Sequence, residues 1–160
     1  MERPASDLAL LIGRVALAAL FIPAGLSKLT DVGAFAASLE KRGVPLADVL
    51  APLGAAVELF GGIAVLIGFQ TRVAAVLMIL FTVVATLIAH RFWEFEAAAR
   101  ATQQSAFFKN LAIVGGYLVL MVSGAGRYSI DRLWRRRAPQ DDRRVRERRE
   151  GTPVPGFSRR

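Results

Sequence analysis

Two ionisable side chains stand where the sequence is otherwise uniformly apolar: Arg14 in the stretch that opens at Leu8, and Glu58 midway between Ala47 and Phe69. In such surroundings a guanidinium and a carboxylate suit a buried ion pair, and a lone acid suits proton uptake. A second set marks the edges of apolar stretches: Lys28 closes the first, His90 closes the third, and Lys109 with Asn110 opens the fourth. Gathered at one level, these groups would suit an anionic or carbonyl-bearing ligand. Each set also has a plainer reading. Arg14 and Glu58 would serve as a staple between helices, Lys28 and Lys109 would snorkel to headgroups, and His90 would cap a helix.

The elements that must position them are four apolar stretches, at about residues 8–26, 47–69, 73–90 and 107–123. Each is long enough to cross a hydrocarbon core of roughly 30 Å at 1.5 Å rise per residue. None alternates with period two, so helices rather than barrel strands are expected. The third, VAAVLMILFTVVATLIAH, lacks the polar face that a soluble bundle would need. Arg14 interrupts the first, which argues against a cleaved leader. The fold class is therefore all-α: an integral membrane four-helix bundle.

Depth along these helices suggests which groups meet. Arg14 is about 9 Å in from its edge, and Glu58 about 16 Å from the same edge on a helix running the other way. The gap of roughly 7 Å is close to the reach of an arginine, so Arg14 and Glu58 are expected to face the interior and pair. At the opposite level Pro23-Ala24-Gly25 is expected to bend or unwind the first helix. The N-terminal end of the fourth helix would direct its positive dipole at Lys28 and His90.

The loops and tail carry their own signals. Asp31 is a plausible N-cap for a short interfacial helix whose apolar positions are Val32, Phe35, Ala36 and Leu39, stopped by Gly43 and Pro45. Phe92, Trp93 and Phe95 suit an aromatic belt, and the Ala-rich stretch after them has helical character. Residues 1–133 form the membrane domain and residues 134–160 a basic tail with ten Lys/Arg against four Asp/Glu. Beyond about residue 138 the tail is expected to be disordered. It would attract anionic headgroups, or act only as a solvated topology anchor, and nucleic acid is not an expected partner. The side bearing both termini has fourteen Lys/Arg and the other side six, which predicts cytoplasmic termini.

Residue types exclude whole classes of chemistry within this chain. With no cysteine and one histidine, it cannot form a disulfide, a thiol nucleophile, an iron–sulfur site or a bis-His haem or metal site. No Ser/His/Asp constellation falls on one side of the membrane, and no self-sufficient catalytic site is evident. GAGRYS (124–129) reads as a helix stop and exit turn rather than a phosphate loop.

Taken together, GRVALAALFIPAGLSKL, AAVELFGGIAVLIGFQTR and FFKNLAIVGGYLVLMVSGAGRYSID resemble the DoxX family of small four-helix membrane proteins, over about residues 8–133. The resemblance is carried by Arg14, Gly25, Lys28, Glu58, Gly61, Gly62, Arg72, Phe108-Lys109-Asn110, Gly124, Gly126, Ser129 and Asp131. It implies a bacterial inner-membrane protein. Most of the family has no assigned reaction, while some relatives are linked to quinone-coupled sulfur oxidation or to oxidative-stress complexes. The leading expectation is thus an accessory membrane subunit of a redox system, holding a quinone at the Lys28/His90/Lys109 layer and working with a partner protein or a second copy. A scaffold that recruits partners ranks second. A small-solute or proton carrier, with Glu58 titrating against Arg14, ranks third.

Overall fold

The computed structural model describes residues 4–137. The helices in chain order are α1 (Pro4–Thr30), α2 (Val32–Glu40), α3 (Ala47–Ile67), α4 (Thr71–Ala89), α5 (Ala97–Ser123) and α6 (Ile130–Arg137), with a short 3-10 turn at Phe92–Glu94. Four of them, α1, α3, α4 and α5, are long and apolar enough to cross a membrane.

Their burial pattern is that of a bundle in lipid. Arg14, Ala18, Phe21 and Gly25 are the buried positions of α1, and Ala51, Ala55, Glu58, Gly62 and Val65 those of α3. Both series step by four and three, the spacing of a narrow left-handed packing seam. Outside the seam the surface carries large apolar side chains, among them Leu20, Phe60, Leu80 and Val119. A soluble helix would be polar there; these faces meet hydrocarbon.

Packing divides the spans into two antiparallel pairs, α1 with α3 and α4 with α5, and α3 against α4 joins them. Where the pairs meet, Phe21, Val65, Ala75, Met78, Tyr117 and Leu120 form the core. Small residues set the closest approach. A Cβ on Gly25 would lie 2.6 Å from the backbone nitrogen of Leu59, and one on Gly62 3.1 Å from Ile22. Gly61 likewise leaves room for the Met78 side chain of α4.

Several helix ends follow local chemistry. Asp31 caps α2, its side chain accepting from the Ala34 N–H at 3.0 Å. Gly68, at φ +68°, ends α3 with a left-handed turn in which the Phe69 N–H returns to the Ala64 carbonyl at 2.9 Å. Two helices exceed the lengths read from the sequence. α1 continues through Pro23 to Thr30, so Pro23-Ala24-Gly25 does not unwind it. The Ala-rich stretch joins α5, which starts at Ala97 rather than near Phe107. Lys109 and Asn110 thus lie about 18 Å along the helix, and the dipole end is at Ala97, away from them. Residues 134–137 belong to α6; the expected disorder and headgroup attraction of the remaining tail fall outside the described residues.

The Gly25 contact is with backbone, which cannot swing aside. Gly25→Ala should therefore lower stability by about 1–3 kcal/mol. Gly13→Ala, whose added methyl meets nothing within 4 Å, should stay within about 0.5 kcal/mol of wild type. Unfolding midpoints of both variants in one detergent make the comparison. Equal midpoints would show that backbone approach at Gly25 does not hold α1 to α3.

Candidate functional site

A cavity of about 600 Å³ lies between α1, α2, α3 and α4, with α5 at one side, and its lining includes Lys28, Glu58, His90, Lys109 and Asn110. The structure therefore brings the edge residues together, and adds Glu58 to them. Leu20, Leu53, Val57 and Val84 supply apolar wall, and Phe21, Phe35 and Phe81 supply rings. This volume and mixture are ordinary for a small-molecule site.

The polar end is built from all four spans. Lys28 Nζ donates to the Glu58 carboxylate, with side-chain exposures of 32% and 6%. The same ammonium stands 5.2 Å from the Phe35 ring centroid, so α2 covers the pair with an aromatic face. His90 Nδ1 is 2.8 Å from Gln103 Oε1. Donation by Nδ1–H to that oxygen makes Nε2 the acceptor of the neutral ring. Asn110 Nδ2 donates to Thr86 Oγ1 at 2.9 Å, and Thr86 Oγ1 donates to the Thr82 carbonyl at 2.6 Å, which ties α5 to α4.

Two hydroxyls missed in the sequence complete the picture. Thr82 Oγ1, in the cavity lining, and Tyr117 OH, beside Phe21 in the core, are buried without a hydrogen-bond partner. A buried hydroxyl without a partner is costly. Thr82 is legible in retrospect as one of the polar steps Thr82 and Thr86 on an otherwise apolar α4. Arg42, carried to the cavity rim by the fold-over of α2, was also missed as a site residue. Lys28, Arg42 and Lys109 against Glu58 leave the lining positive. The arrangement can bind oxygen acceptors at its polar end while enclosing an apolar body.

Arg14 does not take part, and the expected Arg14–Glu58 pair does not form. With Gly25 against Leu59 and Gly62 against Ile22, the register sets Glu58 opposite Leu26. That is twelve residues, about 18 Å, along α1 from Arg14. Counting depth from the ends of apolar stretches misplaced the two because α1 and α3 overlap with a different offset. Arg14, only 1% exposed, instead donates Nε to Val65 O at 2.8 Å, Nη2 to Leu66 O, and Nη1 to Ala125 O and Tyr128 O at 2.8 Å each. Its planar fork thereby caps the last carbonyls of α3 and binds the loop after α5.

Other residues that carry the resemblance gather around this staple. The Asp131 carboxylate accepts from Gln70 N at 2.7 Å and Thr71 N at 2.9 Å, capping α4, while its own N–H donates to Gly68 O. Gly124 ends α5 and Gly126 turns the loop, both at positive φ. Arg72 reaches Val122 O at 3.4 Å. These residues fasten helix ends; they line no part of the cavity.

Because Glu58 is nearly enclosed, removing either partner strands a charge. Lys28→Met and Glu58→Gln should each cost about 3 kcal/mol, and the double variant about as much as one alone. A double-mutant cycle on unfolding free energies measures this. Costs that simply add would show that the two side chains do not act as a pair.

Comparison with known proteins matches this architecture. The DoxX family model matches residues 9–91 and the SURF4 family model residues 51–136. The chain is 37% identical over 127 residues to "Inner membrane protein YqjF" of Escherichia coli strain K12, covering 79% of this chain and 92% of that one. It is 32% identical over 123 residues to "Inner membrane protein YphA" of the same strain, covering 77% and 88%. A shorter match, 38% over 69 residues, relates 42% of the chain to 23% of the Schizosaccharomyces pombe "Surfeit locus protein 4 homolog". No solved structure matches. With its four spans and these matches, the chain belongs to the DoxX family of membrane proteins.

Proposed function

We propose that the protein is a membrane component of a redox system and receives a quinone in the cavity beside Lys28 and Glu58. The carrying observation is the cavity itself. It brings Lys28, His90, Lys109, Asn110 and the unpartnered Thr82 hydroxyl together at one end of an otherwise apolar, aromatic-walled space. A quinone has two carbonyl acceptors on a flat ring with an apolar tail. Those features match donors at one end, rings alongside and an opening among lipid-facing residues. When bound, such a group carries two electrons and two protons. The chain's own residues would hold the carbonyls and, through Lys28, keep the Glu58 carboxylate in place.

The chain supplies no electron path of its own, since it has no cysteine and one histidine. Electrons would come from a partner protein, and the reading therefore includes a complex. We place the protein in an inner membrane, as its relatives are named, with both termini cytoplasmic on the Lys/Arg count.

The test is quinone retained after gentle extraction, quantified by mass spectrometry, followed by titration of a short-chain quinone into stripped protein with tyrosine and tryptophan fluorescence as readout. Wild type and Gly13→Ala should bind alike. Lys109→Ala should bind about tenfold more weakly, the size expected for one charge-assisted hydrogen bond. Equal affinity in wild type and Lys109→Ala, or no binding in either, would remove quinone from the cavity.

A further inference from the structure

The opposite ends of the same helices form a second concavity, of about 380 Å³, lined by Asp7 of α1, Arg72 of α4, the turn from Ser123 to Gly126, and Arg132 and Arg135 of α6. Its position is fixed by the spans: Arg72 is in the first turn of α4 and Ser123 is the last residue of α5. The concavity therefore opens at the boundary between hydrocarbon and water, on the side that bears both ends of the described chain.

Three arginines face one aspartate in the lining. Asp7 already accepts the Arg127 backbone N–H at 2.8 Å. Asp131 is committed to the Gln70 and Thr71 N–H groups. An anion entering here meets the guanidinium groups of Arg72 and Arg135, whose hydrogen bonds among the described residues go to the backbone carbonyls of Val122 and Asp131.

Helix α6 adds an independent indication of what that anion is attached to. Ile130, Leu133 and Trp134 fall at i, i+3 and i+4, with Asp131, Arg132 and Arg135 on the remaining surface. Leu133 and Trp134 are exposed, and Trp134 packs edge-to-face on the exposed Phe69 with ring centroids 5.6 Å apart. Phe69 follows the end of α3, so the apolar side of α6 continues a lipid-facing surface. A helix with a basic side, an apolar side and a tryptophan at the span boundary lies in the interface.

We propose that Arg72, Arg132 and Arg135 hold the phosphate of an anionic phospholipid, with α6 lying beside its acyl chains. Arginine forks match phosphate oxygens, and basic pockets between spans are known forms of headgroup site. The site is part of the folded domain and distinct from any diffuse attraction by the tail. It is also independent of the quinone reading.

Native mass spectrometry of the full-length protein, offered equal phosphatidylglycerol and phosphatidylcholine in a neutral detergent, tests the proposal. Wild type should retain phosphatidylglycerol preferentially at about one per chain. Arg72→Gln/Arg135→Gln should lose that preference by about tenfold or more, and the single Arg135→Gln variant should lose part of it. Arg148→Gln/Arg149→Gln, with the same charge removed from the tail, should keep it. Both exposed positions tolerate the change if unfolding midpoints without lipid match wild type; a folded double variant with undiminished preference overturns the proposal. So does a preference that is lost in the tail variant instead. Inorganic phosphate that raises the unfolding midpoint as much as phosphatidylglycerol, with the same arginine dependence, would assign the pocket to a soluble anion and overturn the lipid assignment.

Discussion

The approach of α1 to α3 at Gly25 is the constraint on which the rest of the structure depends. With no side chain there, the Leu59 backbone comes close enough to fix the antiparallel register of the two helices. That single offset carries Arg14 to the C-terminal carbonyls of α3 and Lys28 to Glu58. Shifting it by one turn, about 5.4 Å, would leave a guanidinium and a carboxylate in hydrocarbon without partners. Small residues at the seam thus decide an electrostatic question. In lipid, where apolar contact alone gives helices little reason to associate, close backbone approach and polar pairing reinforce one another.

The two ends of the bundle solve the burial of polar groups differently. Around Arg14 the guanidinium makes four hydrogen bonds to backbone carbonyls and the Asp131 carboxylate accepts from two backbone N–H groups, while the nearby Thr71 hydroxyl is left without a partner. Around Glu58 the ion pair is made, but the Thr82 and Tyr117 hydroxyls are left over. The first end is fastened by a guanidinium on backbone carbonyls, the second by an ion pair at the wall of a cavity.

Much of the fold was legible because its signals are local. The number and order of the spans, the Asp31 cap of α2 and the stop at Gly124 each depend on a few adjacent residues. So does the level shared by Lys28, His90 and Lys109, since helix direction alternates from span to span. What failed was relational. The partner of Arg14 depends on an offset between helices that no single stretch encodes. The backbone carbonyls that accept from Arg14, at the end of α3 and in the loop after α5, leave no mark in the sequence. The early start of α5 was obscured because Arg100 and the glutamines after it lower hydropathy without lowering helix propensity. Thr82 was passed over as one polar residue in an apolar run, though its spacing from Thr86 and the buried Met78 puts all three on the α4 face turned inward.

For the proposed quinone role, residue types and geometry together narrow what the chain would contribute. An electron carrier needs a thiol, a metal or a bound organic group, and the first is absent from the sequence. What the cavity offers is an ammonium, an imidazole, an amide and a carboxylate, all groups that place hydrogen bonds and protons. Quinone chemistry couples the two currencies, because each electron pair moves with two protons. A small protein can therefore matter to it by seating the ring and controlling its hydrogen-bond partners while a second protein supplies the electrons. The long side chains at the cavity suit that role: Lys28 is held between the Glu58 carboxylate and the Phe35 ring, so it can direct a proton donor at a ligand without leaving its own charge unpaired.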